Sequence, residues 1–353
     1  MKAIFVWSAL AGVLLALGIR GDGATRQQQT GRPGVEGHAL AAVLPALATA
    51  ASCDVTTDYG DANGIALDTQ GNVYTALGAA SGAGGNAAGV EIQKWSPRGR
   101  LLATWTTPGG RRGAARHPVG IAVDTHGDIY VTDPNAGQID KLAPTGRLTA
   151  VWGAPGAAAG QFENPAGLTI DRRGDIYVAD KGNSRVQVLD AAGRARVIWP
   201  LSPWLRQPSQ PSGIAVDAQG RVYVADEAIR ILVLSPRGTT LRAWGSKGSR
   251  PDEFRHPVDI ALDPQGRLDI ADKLNARIQQ FSATGTPLTR WATGATAGWF
   301  NARGVASDQP AFPTGVAVAA NGTIYTLAGW CPSRVQTFTP AGHTIAIWPT
   351  IVG

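Results

Sequence analysis

Cysteine is almost absent from this chain of 353 residues: there are two, Cys53 and Cys331. That excludes a small fold stapled by many disulfides and a cysteine-built zinc module. Charge is sparse as well, at 16% of residues, and the net +6 is scattered and carried mostly by Arg. An excess of that kind can favour anionic surfaces but falls short of a nucleic-acid footprint. No Ser/His/Asp set, calcium loop or phosphate loop can be picked out. Gly (45) and Pro (23) are plentiful, which suits many tight turns, and the apolar fraction of 44% is ample for a core.

The stretch Ala166–Leu189 is the clearest copy of a unit that recurs six times. It reads as three short strands, Gly167–Asp171, Asp175–Asp180 and Arg185–Leu189, with a fourth ending at Trp199. The first strand of each copy ends in a turn that opens with Asp and closes with Gly. These turns are Asp68–Gly71, Asp124–Gly127, Asp171–Gly174, Asp217–Gly220 and Asp263–Gly266, with Ala319–Gly322 the exception at its first position. Asp suits the start because its carboxylate accepts backbone N–H bonds, and Gly supplies positive φ where the chain reverses. A second Gly is followed six residues later by Trp in every copy: Gly99/Trp105, Gly146/Trp152, Gly193/Trp199, Gly238/Trp244, Gly285/Trp291 and Gly342/Trp348. Those Trp read as packing residues between neighbouring units. A repeat of 46 to 47 residues holding four strands predicts an all-β, six-bladed β-propeller of four-stranded antiparallel blades. The blades are expected at about 62–105, 117–152, 164–199, 210–244, 256–291 and 312–348, and a strand borrowed from the N-terminus is not needed for closure.

Pro165–Gln187 (Pro-Ala-Gly-Leu-Thr-Ile-Asp-Arg-Arg-Gly-Asp-Ile-Tyr-Val-Ala-Asp-Lys-Gly-Asn-Ser-Arg-Val-Gln) resembles the NHL repeat, as do Pro118–Asp133 and Pro211–Asp226. Blade 5 departs from the pattern, with Asp259 for Gly and Asp269 for Tyr. The resemblance implies a propeller. It leaves function open, because NHL propellers serve as receptors, scaffolds, RNA binders and a few lyases. Recurrence in equivalent blades assigns the pairs Asp180/Arg185 and Asp272/Arg277, at one spacing, and Asp226/Arg230, nearly so, to blade architecture, since catalytic groups are normally unique to one or two blades.

Departures from the repeat mark the candidate site. Asp68 to Asp124 and Asp263 to Ala319 each span 56 positions, where Asp124 to Asp171 spans 47. The first excess lies in Leu77–Gly89 and the second between Trp291 and Gly315. Second-to-third loops and inter-blade loops emerge on one face of a propeller, so both insertions decorate that face at blades 6 and 1. Candidate binding residues there are Arg111, Arg112 and Arg116 entering blade 2, Trp299 in the second insertion, Trp330 in blade 6, and Asp259. Trp299 and Phe300 have a plainer reading as plugs of their own loop, like Phe162 and Phe254. No cofactor is expected. A metal reading would place zinc or calcium on His117, His256 and Asp259. Against it, blades 2 and 5 stand opposite each other, and the zinc site of NHL-like amidating lyases uses several His. His126 and His343 fall on the other face.

Residues 1–20 read as a signal peptide or membrane anchor, because Ala3–Ile19 is a largely apolar run behind Lys2. A cut after Ala50 is the rival. Residues 21–52 read as a flexible pre-region and 53–353 as one propeller. The expected function is therefore that of an extracytoplasmic binding, scaffold or sensor module acting through the face of blades 6, 1 and 2. Its partner would be an extracellular protein, peptide, carbohydrate or anionic polymer, with nucleic acid disfavoured and the oligomeric state open. The alternative is a metal-dependent lyase or hydrolase at the channel mouth. Cys53 and Cys331 are expected to pair, the rival being lipidation of Cys53; the long loop so closed would contribute roughly 4–5 kcal/mol in the chain-entropy model. Mass spectrometry of unreduced protein should find a peptide linking Cys53 to Cys331, and an acylated Cys53 would overturn the pairing.

Overall fold

A computed structural model describes residues 64–78, 90–107, 120–201, 208–293, 312–329 and 334–349, all within one compact unit, Ala51–Gly353. Six four-stranded antiparallel sheets follow one another along it, each ordered from first strand to fourth without a crossover. In blade 3 the strands are Pro165–Ile170, Ile176–Asp180, Arg185–Leu189 and Ala195–Pro200. Blade 6 builds all four of its strands from the C-terminal part of the chain, between Phe312 and Pro349. The ring therefore closes with every blade in phase, and it is a six-bladed β-propeller. Among the described residues there is no α-helix, only a 3-10 turn at Lys273–Asn275.

Burial explains the residue choice along each blade. Second strands such as Ile176–Asp180 are buried at every position because neighbouring blades cover both of their faces. Such strands are β-branched and aromatic rather than alternating. Fourth strands line the outer rim and alternate between half-buried and exposed, as in Leu148–Trp152. The turn chemistry expected from Asp and Gly is present. Asp171 Oδ1 accepts the backbone N–H of Arg173 (2.8 Å) and Asp175 (2.9 Å), and Gly174 sits at φ 82. The motif Tyr completes the lock, since Tyr177 Oη donates to Asp171 Oδ2 at 3.3 Å, and Tyr74, Tyr130 and Tyr223 repeat the bond. Burial, with the Asp171 charge adding to it, pushes Tyr177 up to about 12 and keeps it a donor. Blade 5 has lost this device. Asp269 is fully buried, accepts from Gln280 Nε2 at 3.0 Å, and is pushed up to about 7 by burial and by the nearby Asp263.

The core is divided into six apolar clusters, one at each boundary between blades. The sixth joins Ile65, Val73 and Trp95 of blade 1 to Tyr325, Leu327 and Trp348 of blade 6, which closes the ring. Each repeat Trp lies against the third-hairpin Gly of the next blade. A Cβ on Gly146 would stand 2.0 Å from Trp105, one on Gly193 2.2 Å from Trp152, and one on Gly99 2.6 Å from Trp348. The six-residue spacing in sequence thus records two halves of two different contacts. Glycine is required twice over at these positions, by the ring above them and by φ values near +80.

Gly146→Ala should destabilise the protein by about 3 kcal/mol, combining left-handed strain with overpacking against Trp105. Gly266→Ala, at φ 76 with nothing within 4 Å of its Cβ, should cost only about 1 kcal/mol. Equal losses in denaturant unfolding would show that the Trp–Gly contact adds nothing.

Candidate binding site at the channel mouth

The polar residues of the repeat motif hold the scaffold. Arg185 Nε bonds Asp180 Oδ2 at 2.6 Å, and its remaining nitrogens donate to the carbonyls of Ala157, Ala158 and Gln161 in the preceding inter-blade connection. Asn183 Nδ2 donates to Asp180 Oδ2 and to Gly156 O, and Gln187 Nε2 donates to Gln161 O. Asn275, Arg277 and Gln279 repeat this clamp in blade 5 around Asp272. Asp226 and Arg230 pair at 2.8 Å in blade 4. Phe162 and Phe254 are buried plugs within the clamped connections. These groups are spent on holding backbone, so they are unavailable for chemistry on a ligand.

What the clamp and the ring of Trp leave at the centre is a channel of about 400 Å³, walled by the first strands of all six blades. The inner edge of each first strand has no strand partner, so its backbone groups face the channel and present polar atoms there. Neighbouring first strands approach closely where Gly recurs; a Cβ on Gly213 would stand 2.4 Å from Asp259 Cα. Asp259 occupies the corresponding Gly position of blade 5, at an irregularity in the pairing of Pro257–Leu262 with Leu268–Asp272. Its Oδ1 accepts Ile260 N (2.9 Å) and its Oδ2 accepts Val316 N (2.8 Å) in blade 6. Enclosure of the carboxyl pushes its pKa up to about 7 against the effect of those two N–H bonds. Asp259 is therefore a stitch between blades 5 and 6 as well as a wall residue.

Charged side chains collect at one end of the channel, where second strands terminate. The residue after the strand-ending Asp is Lys181 in blade 3, Glu227 in blade 4 and Lys273 in blade 5, and all three line the channel with His256. Lys181 Nζ lies 2.6 Å from Glu227 Oε2, and His256 Nε2 lies 3.4 Å from the same oxygen. Burial would raise the Glu227 pKa, but the hydrogen bonds and charges of His256 and Lys181 outweigh it and hold the carboxyl at about 2. His256 Nδ1 is buried and has no hydrogen-bond partner among the described residues. No carboxylate pairs with Lys273 among the described residues. The loop carrying Glu227 is one residue shorter than its counterparts and holds Ile229 at φ 76, a strained conformation for a β-branched side chain.

Of the residues singled out from sequence, His256 and Asp259 line the channel together. Arg111, Arg112, Arg116, His117, Trp299, Trp330, Cys53 and Cys331 lie outside the described residues, as do most of the two insertions. The strands flanking the first insertion do bear on it: Val73–Gly78 ends, and Val90–Trp95 begins, at the end of the channel that carries Lys181 and Glu227. Among the described residues no group of three His, Cys, Asp or Glu side chains is arranged to hold a metal ion. Lys181, Glu227 and Lys273 escaped the sequence reading. The available signal was a single repeat position that carries charge in three consecutive blades but Gly78, Pro134 and Gly329 in the others.

The NHL repeat family matches residues 162–189 and 209–228, which cover the first three strands of blade 3 and the opening of blade 4. The chain thus carries NHL repeats on a propeller. No curated protein sequence matches it. Solved structures of similar fold include a streptogramin B lyase, at 18% identity and TM-score 0.56 over 83% of this chain and 84% of that one. A catalytically inactive virginiamycin B lyase from Staphylococcus aureus with quinupristin is similar at 15% identity and TM-score 0.55, over 85% and 87% of the two chains. The nidogen/laminin complex contributes another at 16% identity and TM-score 0.53, over 75% and 91%. At these identities the likeness is one of fold.

Glu227 has a folded pKa below its ordinary 4.5, so its carboxylate contributes stability above that value, and the contribution disappears as pH falls toward 2. Glu227→Gln should lower stability at neutral pH by about 1–3 kcal/mol, and the two proteins should converge near pH 2. Urea unfolding across that range tests this; a difference that does not change with pH would contradict the assignment.

Proposed function

We propose that this chain is a binding module, acting outside the cytoplasm, whose ligand enters the central channel at the face where the second strands end. The observation that carries the reading is the convergence of Lys181, Glu227, His256 and Lys273 on one mouth of the channel. Four ionisable side chains from three blades meet there, over a cavity whose volume suits a small molecule or the end of a larger one. Within this proposal blades 3, 4 and 5 supply the charged half of the rim. The insertions, with Arg111, Arg112, Arg116, Trp299 and Trp330, supply the half on blades 6, 1 and 2. The apolar run Ala3–Ile19 supports export and hence an extracellular peptide, carbohydrate or other polar partner.

A second reading uses the same mouth for catalysis by a lyase or hydrolase. It is favoured by one observation, the contact of His256 Nε2 with the Glu227 carboxylate while Nδ1 stays unpartnered. A carboxylate-oriented imidazole is a competent proton acceptor. The metal-dependent form of this reading would recruit His256 with His117 and Asp259. Stoichiometric zinc or calcium in purified protein, lost in His256→Ala, would decide for it over the simple binding module.

A ligand screen by thermal shift tests the binding proposal. A true ligand at about 100 times its Kd should raise Tm by about 5 °C. Glu227→Gln should remove that rise, while Arg173→Ala, on an exposed turn at the opposite end, should leave it intact. A ligand whose shift ignores Glu227→Gln would place binding elsewhere.

A further inference from the structure

We propose that the channel mouth recognises the hydroxyl groups of a neutral carbohydrate, held by Glu227 Oε1, Ser212 Oγ and the Lys181 ammonium. The inference rests on reading the mouth as a binding site and names the chemistry of its ligand. Glu227 uses its two carboxylate oxygens unequally. Oε2 takes both contacts, from Lys181 Nζ at 2.6 Å and from His256 Nε2 at 3.4 Å. Oε1 has no partner among the described residues, and it is not an enclosed atom, so it opens onto the channel that Glu227 lines. Ser212, at the mouth end of the first strand of the same blade, is in a similar position. It lines the channel at 4% exposure, yet its hydroxyl bonds no described residue and keeps accessible surface. Backbone pairing sets the two residues at one end of blade 4: Glu227 N donates to Gln210 O at 3.0 Å, and Pro211 faces Asp226 across the sheet.

The signs of the surrounding charges select a neutral partner. An anion entering the cavity would meet the charge on Oε1, and a cation would meet Lys181 and Lys273, which line the same mouth. A hydroxyl incurs neither repulsion, because its O–H donates to Oε1 while its oxygen accepts from an ammonium or from Ser212. Lys181 has N–H groups left for this after its one bond to Glu227. Hydrogen bonds to an ionised partner are the strong class, so a few of them can hold the polar edge of a sugar. A neutral ligand also leaves the Lys181–Glu227 pair intact.

Deeper in the channel the wall continues the same preference. The unpartnered edges of the first strands offer backbone N–H and C=O groups together, which suits a ligand carrying donors and acceptors on every side. At the far end, half-buried Leu67, Val123, Ile170, Leu262 and Val318 add aliphatic surface. A sugar ring has polar edges and C–H faces and so satisfies both, whereas an acyl chain would leave the strand edges unpaired. The cavity of about 400 Å³ holds a monosaccharide or the terminal unit of a longer chain.

Saturation-transfer NMR with the intact protein tests this, using D-glucose, D-galactose, D-mannose and myo-inositol as probes. At least one should show saturable transfer, and its fully O-methylated form, which cannot donate to Oε1, should show none. Neither sodium acetate nor tetramethylammonium chloride should displace the bound probe. Ser212→Ala should weaken binding about fivefold and Glu227→Gln about tenfold, while Arg173→Ala should leave it unchanged. Unchanged circular dichroism keeps the comparison valid, and if Glu227→Gln does not fold, Ser212→Ala decides. The inference is overturned by the absence of saturable transfer from all four probes, by displacement with either ion, or by binding that survives O-methylation or either mouth substitution. If it fails while a ligand from the thermal screen still depends on Glu227, the mouth is a binding site for other chemistry. If the screen also ignores Glu227, the binding-site reading falls with it.

Discussion

The structure depends on one contact repeated six times: an indole laid against a glycine of the next blade. A propeller blade cannot bury its own faces, so its stability resides at the boundaries with its neighbours. At each boundary a fourth-strand Trp fills the gap, and the facing hairpin must shed its Cβ to let the ring in. Trp348 against Gly99 is the same contact used to close the ring. Because the sixth boundary is built like the other five, closure needs no special strand and every sheet keeps its own four.

A second layer of regularity follows from that ring. Connections between blades carry backbone groups that no strand pairs, and the motif Asp, Asn, Arg and Gln side chains bond those groups one by one. This accounts for the recurring Asp, Asn, Arg and Gln side chains of blades 3 and 5. A buried Asp–Arg pair in a propeller of this kind resembles a catalytic constellation only until its partners are traced to loop carbonyls. Where the clamp recurs unchanged it is architecture, and the positions that vary from blade to blade are left to carry function.

Those variable positions lie where strands converge. First strands from all six blades wall the channel, and the residues just beyond the second strands rim it. Small changes in one repeat are therefore concentrated around one cavity. Lys181, Glu227 and Lys273 are single substitutions at a single repeat position, and with His256 they make the charged side of the mouth. The propeller supplies stiffness from its boundaries, and the mouth can then hold ionisable groups in place without a dedicated fold of its own.

The architecture was legible in the residues because repetition multiplies a weak signal: five Asp-to-Gly turns, a sixth that opens with Ala319, and six Gly–Trp spacings identify the blade, its period and its number. The rejection of the Asp–Arg pairs as functional was equally legible, from recurrence. Asp259 was correctly marked as a break in the pattern, yet its bond to Val316 N could not be foreseen, since it joins residues far apart in the chain. The meeting of the Glu227 cluster could not be foreseen for the same reason, although its repeat position is charged in three consecutive blades. Lys181 lies a whole repeat before Glu227 and His256 opens the blade after it, and nothing in their local sequence says that they share a cavity. By itself, the order of residues determined the blade, because blade formation rests on local turns and near-neighbour strands. Only the tertiary ring decided which side chains meet, because meeting at the channel depends on closure through every blade.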